Sequence, residues 1–231
     1  MISIIIPTYN ESENISSLIQ NVSRCMEEAA LEDFEILVMD DDSPDGTARC
    51  VEAMGHPKVR AVNRRGKTAG LSASVVDGFS HAAGQILVVM DADGSHPPEK
   101  VPELARAVES NCNIAVGSRY VTGGGTAGWP WTRVWASKFA CLLARPLTPV
   151  RDATSGFFAL KKTILDGVFL DTPGFKIGLE VFIRTRHQNL IQEVPYIFKD
   201  RQLGASKLNS GVMGCYVRQL LTFYLKREKN K

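Results

Sequence analysis

Short apolar runs alternate along this chain with longer amphipathic stretches. The runs 2–6, 34–39, 59–62, 86–90 and 114–116 are rich in Ile and Val and too short for helices, which predicts buried strands. Between them, 11–30, 45–54, 68–83 and 98–110 carry a helical spacing of apolar positions. Asn10 or Ser12 stands ready to start the first helix, and Pro97-Pro98 opens the fourth. Strand–helix–strand repeated four times predicts an α/β fold, a mainly parallel central sheet flanked by helices. Further on, 157–160 and 191–198 read as strands, while the Trp-rich stretch 128–145 and the segment 212–226 read as helices. No internal repeat or linker interrupts the pattern. The expected organisation is one domain over residues 1–208, followed by an amphipathic C-terminal helix and basic tail over 209–231.

Polar clusters fall where the predicted strands end. Pro7-Thr8-Tyr9-Asn10-Glu11 follows the first strand, Asp40-Asp41-Asp42-Ser43-Pro44-Asp45-Gly46 the second, and Asp91-Ala92-Asp93-Gly94-Ser95-His96 the fourth. Ligands of such sheets bind outside the carboxyl ends of the strands, so three clusters on one edge point to a site there.

Composition narrows the classes. Of 231 residues, 44% are hydrophobic and 23% charged, a globular balance that excludes a disordered chain. The formal net charge of +2 gives no basis for a nucleic-acid partner. Five scattered cysteines without a CxxC pair argue against a disulfide framework or a zinc site and favour a reducing, cytosolic compartment. The start, with no basic region and with Pro7 after a short apolar run, does not read as a signal peptide. A membrane span needs about 20 apolar residues. The best candidate, 212–225, is short and contains Arg218 and Gln219.

Asp91-Ala92-Asp93 is the strongest chemical feature. The apolar strand 86–90 runs directly into Asp91, and along a strand residues i and i+2 point the same way, so both carboxylates can share one divalent cation at the strand end. A pair of hard oxygen ligands suits Mg²⁺ or Mn²⁺ and leaves coordination positions for diphosphate oxygens. The plain alternative is two solvated loop acids. Three adjacent acids at 40–42 repel one another unless donors or a cation compensate. Asp41 could accept hydrogen bonds from a base or ribose, while Asp45 belongs to a turn that caps the next helix.

Ile-Ile-Pro-Thr-Tyr-Asn-Glu, Met-Asp-Asp-Asp-Ser-Pro-Asp-Gly-Thr, Met-Asp-Ala-Asp-Gly-Ser-His-Pro-Pro-Glu and Val-Gly-Ser-Arg-Tyr occur in that order. Together with Asp152-Ala-Thr-Ser-Gly-Phe and Asp200-Arg-Gln-Leu-Gly-Ala-Ser-Lys, they resemble the GT-A-fold family 2 glycosyltransferases. Within that family the chain is most similar to the polyprenyl-phosphate (dolichyl-phosphate) mannose synthases. The resemblance implies nucleotide contacts at Pro7, Tyr9, Glu11, Met39 and Asp41. It implies metal and diphosphate ligands at Asp91 and Asp93, with the Ala92 backbone close by. Some relatives have a third metal ligand where this chain has Ser95, a weak one. Arg119 and Arg133, with Ser137 one turn further on, would hold an acceptor phosphate. Arg201 and Lys207 would close over the diphosphate. Guanidinium forks suit such oxygens.

The implied reaction is inverting transfer of mannose from GDP-mannose to dolichyl or polyprenyl phosphate, with Mg²⁺ or Mn²⁺, at the cytosolic face of a membrane. A UDP-sugar donor (glucose or GlcNAc) and a non-catalytic sugar-nucleotide-binding subunit are the rivals. A saccharide hydroxyl acceptor would need a carboxylate base, for which Asp152 and Glu180 are the candidates. His96, followed by two prolines, reads as a turn stabiliser rather than a catalyst. Trp129, Trp131 and Trp135 read either as core or as a membrane-interface wedge. The C-terminal helix either lies on a membrane or packs on the domain, and a membrane-anchoring subunit is the further possible partner.

Overall fold

Ile2–Thr8 forms β1, the centre of the structure, and its side chains are enclosed on both faces of the sheet. Ile2, Ile4 and Ile6 enter one apolar layer while Ile5 enters the other, the period-two alternation of a strand. Each isoleucine removed completely from water contributes about 1.5–3 kcal/mol. The computed structural model describes residues 1–170, 176–185, 190–200 and 210–229.

Phe34–Asp40 (β2), Val59–Asn63 (β3) and Ile86–Val89 (β4) join β1 in parallel, as the alternating pattern predicts. The chain runs outward from β1 through β2 to β3, then returns to place β4 on the other side of β1. That reversal opens a crevice at the carboxyl ends of β1 and β4. Beyond β4 the order continues with Phe158–Lys161 (β7), Ile114–Ser118 (β5) and Ile191–Pro195 (β8). Strand β7 lies antiparallel to both β4 and β5, while β5 and β8 are parallel. The segment expected as one strand over 191–198 is two. Pro195 lacks the N–H needed to extend a ladder, and Ile197–Lys199 (β9) pairs instead with Gly125–Ala127 (β6) in a separate two-stranded sheet.

Helices Ile15–Glu28 (α1), Thr47–Ala53 (α2) and Val101–Ser110 (α4) cover one face. In α1, Ile15, Leu18, Ile19, Val22 and Met26 form the buried stripe. This helix begins at Ile15 rather than near position 11, because Glu11 accepts the side-chain amide of Asn14 and the main chain of Asn10 is left-handed. Leu71–His81 (α3) and Ile177–Arg184 (α6) cover the other face. Gly78 lets α3 approach the sheet: a Cβ there would stand 2.6 Å from Ile5 Cγ2.

Trp131–Ala144 (α5) and Ser210–Lys229 (α7) form a third layer with α6, joined through Ala144, Leu179, Ile183, Tyr216, Leu220 and Phe223. Tyr216 and Tyr224 donate their hydroxyls to the carbonyls of Ala140 and Leu143. The C-terminal helix is therefore packed on the domain along one side.

Candidate active site

The loops after β1 and β2 are sewn together by three main-chain donors. Asn10 N donates to Ser43 Oγ (3.0 Å), Glu11 N to Thr47 Oγ1 (3.0 Å) and Ser12 N to Asp45 Oδ2 (2.9 Å). Asp45 also accepts the N–H and hydroxyl of Thr47, so it caps α2 from the residue before Gly46. Burial works against its charge, but the hydrogen bonds of Thr47 and Ser12 outweigh it and hold the carboxyl below its ordinary pKa. Tyr9 stays substantially exposed at the mouth of the crevice, beside Pro7 at the end of β1.

Met39 is wholly buried in the layer beneath α3, so its side chain offers no surface to a ligand. Asp41 is held in a network that sequence spacing does not reveal. Its Oδ1 accepts from Arg64 Nη1 and from Ser74 Oγ (2.9 Å), and its Oδ2 accepts the main chain of Gly70 (2.7 Å). Arg64, buried just past β3, also donates to Asp77 (3.1 Å) and to the carbonyl of Thr68 (3.0 Å). The acids at 40–42 thus meet donors: Asp40 accepts from Thr8 and Ser43, and Asp41 from Arg64. One hint was available, since Arg64 directly follows the carboxyl end of a strand.

The acidic loop follows β4, at the crevice between β1 and β4. Strand β4 stops at Val89, so 91–95 is a loop and the strand-alternation argument for aligning Asp91 with Asp93 does not apply. What shapes this loop is His96. Its Nδ1 accepts the main-chain N–H of Asp91 at 2.9 Å, its ring stacks on Phe157 at 4.9 Å, and Tyr196 and Phe198 meet it edge-on. Burial above all keeps the imidazole below its ordinary pKa, against the pull of the Asp91 and Asp93 carboxylates. The ring is then neutral at pH 7, with Nδ1 as acceptor and the proton on Nε2. The turn-stabilising reading of His96 holds. Asp93 Oδ1 accepts the N–H of Ser95 (3.1 Å).

The hydroxyl of Ser95 is buried and makes no hydrogen bond to the protein. An orphaned hydroxyl costs about 1–3 kcal/mol, a deficit that a bound cation or its water removes. Two carboxylates and this hydroxyl are hard oxygen donors that fit Mg²⁺ or Mn²⁺. Among the described residues no group of three His, Cys, Asp or Glu side chains could hold a metal alone. A cation here would need oxygens from a ligand or from water.

Arg119 leaves the end of β5 and is buried against Asp152. Its main chain, Nε and Nη2 reach the carboxylate at 2.9, 2.7 and 2.6 Å, and Nη2 also reaches Thr154 Oγ1 (2.8 Å). Burial opposes the charge, but Asp152 more than restores it and raises the pKa of the guanidinium. Asp152 is itself positioned by Glu193, which accepts the main-chain N–H groups of Arg151 and Asp152. Lys176, for which the sequence held no signal, donates to the carbonyl of Thr154 (3.0 Å). Burial and then Arg119 push its ammonium below the usual lysine range, opposed by Asp91 and Asp152. It links the charge of the acidic loop to that of the Arg119 pair.

Arg133, in the first turn of α5, lies 3.9 Å over the ring of Trp129 and pairs with Asp200. Arg119 lies 5.3 Å from the centre of the same indole, so the two arginines expected to act together do share a neighbour. Ser137 is one turn beyond Arg133 on α5. Trp131 and Trp135 are 74% and 66% exposed, which excludes the core reading for both, whereas Trp129 packs inward on Phe198. Arg201 and Lys207 lie outside the described residues.

The mainly parallel sheet flanked by helices, with the acidic loop at the β1/β4 crevice, is an α/β architecture, and the glycosyl transferase family 2 profile matches residues 3–169. The chain belongs to that family. It is 41% identical to a dolichol-phosphate mannosyltransferase of Pyrococcus furiosus over 95% of this chain and 62% of that protein. This chain therefore spans somewhat under two thirds of that relative's length. A dolichol-phosphate mannosyltransferase of Saccharomyces cerevisiae is 38% identical, covering 96% of this chain and 86% of its own. Among solved structures, glucosyl-3-phosphoglycerate synthase of Mycobacterium tuberculosis, crystallised with Mn²⁺, UDP-glucose and phosphoglyceric acid, superposes with a TM-score of 0.71 at 25% identity. That match covers 98% of this chain and 79% of the synthase.

Proposed function

We propose that this chain transfers mannose from GDP-mannose to a dolichyl or polyprenyl phosphate, with inversion at the sugar. The observation that carries the reading is the pairing of an acidic loop at the β1/β4 crevice, complete with an orphaned Ser95 hydroxyl, with two arginines gathered around Trp129. The names of the relatives support the donor sugar and the acceptor class.

In this reading Pro7, Tyr9, Glu11 and Asp41 border the nucleotide, with Met39 shaping the floor from below. Asp91, Asp93 and Ser95 hold the cation, with the Ala92 main chain against the diphosphate. Mg²⁺ or Mn²⁺, when bound, neutralises charge on the departing diphosphate. Arg119 and Arg133, with Ser137, orient the acceptor phosphate, and Arg201 and Lys207 act on the donor diphosphate. A phosphate monoester is ionised at pH 7, so its oxygen attacks the anomeric carbon without a base. The bond to the diphosphate breaks on the opposite side, and an α-linked donor gives a β-linked product. Catalysis then rests on positioning and electrostatics. The two acids that could serve a hydroxyl acceptor are occupied: Asp152 is fully buried on Arg119, and Glu180 is buried on Arg184 at 2.6 Å. That favours a phosphate acceptor.

The outer side of the α5/α7 layer supports action at a membrane surface. Trp131, Trp135, Phe139 and Leu142 recur at helical spacing on α5, and Val217, Leu221 and Leu225 on α7, all exposed. Aromatic residues on such a face favour the bilayer interface. No helix among the described residues is long and apolar enough to cross a membrane. We assign this face to the bilayer, with the protein peripheral on the cytosolic side.

The test is transfer of radiolabel from GDP-mannose into the organic phase with polyprenyl phosphate and Mg²⁺ or Mn²⁺. Label should appear with GDP-mannose and not with UDP-glucose or UDP-GlcNAc, and Asp93→Ala should abolish it. Transfer from a UDP-sugar, or undiminished transfer by Asp93→Ala, refutes the reading.

A further inference from the structure

Asp200 follows β9 and directly precedes Arg201. Its carboxylate gathers donors from two side chains. Arg133 Nη1 lies 2.8 Å from Oδ1 and 3.1 Å from Oδ2, and Trp129 Nε1 lies 3.0 Å from Oδ1. Trp129 is braced by Phe198, whose ring centre is 5.0 Å away, and its face carries the Arg133 guanidinium. Guanidinium and indole N–H groups that converge on one carboxylate oxygen would meet a phosphate oxygen in the same way.

We propose that Asp200 is a built-in stand-in for the acceptor phosphate: it holds Arg133 and Trp129 in the geometry that receives an oxyanion and must be displaced when one arrives. The inference rests on the assignment of Arg133 to the acceptor phosphate made under Proposed function. A bare guanidinium beside a lipid surface would attract every phosphodiester headgroup there. A carboxylate tethered to the same chain competes at high effective concentration and lowers the affinity for all of them. The penalty is alike for every oxyanion. Loosely held anions fall below occupancy, whereas an acceptor with further contacts to the protein stays bound. Displacement is within reach because the pair is partly open to solvent, with Arg133 32% and Asp200 46% exposed. Pairs of that exposure are weak.

Asp200→Asn removes the charge, keeps the shape and leaves an oxygen to accept the Trp129 N–H. Asp200→Ser removes the charge in a different shape. Binding of farnesyl monophosphate and of inorganic phosphate to the full chain should tighten about two- to fivefold in both variants, the range that a partly exposed charge pair carries. The affinity for GDP should not move. Unchanged or weaker binding of both probes would overturn the proposal and make Asp200 a structural tie. Arg133→Ala tells the two failures apart. If it binds farnesyl monophosphate as well as the unaltered protein does, the acceptor assignment itself fails and the stand-in with it. If Arg133→Ala weakens binding while both Asp200 variants leave it unchanged, the stand-in alone is wrong.

Discussion

His96 Nδ1 accepts the main-chain N–H of Asp91 at 2.9 Å, and this bond closes the acidic loop into a ring of six residues anchored in the apolar layer. The imidazole bonds the loop through the Asp91 main chain, and its Nε2 stands 3.8 Å from the Asp91 carboxylate, so its effect on chemistry is one of position. Stacking on Phe157 and edge contacts from Tyr196 and Phe198 fix the ring plane, which fixes where the Asp91 main chain begins its turn.

His96→Ala should therefore reduce transfer and raise the concentration of Mg²⁺ or Mn²⁺ needed for half-maximal activity. A loss of about 10- to 100-fold is the size seen when the support of a metal site is removed. His96→Asn, which can present an acceptor oxygen near the place of Nδ1, should recover part of it. Metal titrations of initial rate for the three proteins check this, with circular dichroism to establish folding. An unchanged metal requirement in His96→Ala would remove His96 from any positioning role.

Asp152→Ala should be severely destabilising. It leaves the Arg119 guanidinium buried without its counter-charge, a change that costs about 3–5 kcal/mol. The double variant Asp152→Ala with Arg119→Met, which removes both charges, should recover much of that loss. Urea denaturation of the four proteins of this cycle measures the coupling.

Asp77 gives a pH-dependent prediction. Burial raises its pKa, but Lys67 and Arg64 prevail and hold it below the ordinary 3.8. A carboxylate with a depressed folded pKa adds stability that is fully present above its unfolded value and is lost as pH falls through the folded one. Asp77→Asn should thus be less stable than the unaltered protein at pH 7. The difference should shrink below pH about 4 and vanish in stronger acid. Thermal unfolding across that range reads it out.

Trp131 and Trp135 give a prediction about the membrane. Both rings stand mostly in water, so Trp131→Ser with Trp135→Ser should leave the melting temperature within about 2 °C, as surface changes do. Binding to vesicles containing anionic lipid should fall severalfold, measured by co-sedimentation. Transfer to a short, water-soluble acceptor should persist. Equal vesicle binding by the variant would detach the α5 face from the membrane.

The central strands were readable because burial on both sheet faces demands mostly apolar runs, as in Ile2–Ile6 and Leu37–Met39. The edges of elements were less readable. Strand β4 ends one residue early, which turns Asp91 and Asp93 from strand residues into residues of a loop that His96 ties at Asp91. Strand β8 ends at Pro195, and the next residues join a different sheet.

Some facts belong to the sequence alone: the alternation of strands and helices, the acidic and polar clusters at the strand ends, and the ordered motifs that place the chain in its family. Each is written in residues close together, where periodicity and turn chemistry act locally. Tertiary structure alone decided that β7 enters antiparallel between β4 and β5. It also decided that Arg119 pairs with Asp152, Asp41 with Arg64 and Arg133 with Asp200. Those partners are separated by 33, 23 and 67 positions. Charge pairs act over a few ångströms of space whatever their separation along the chain, so only the path of the backbone could choose among the many acids and bases available.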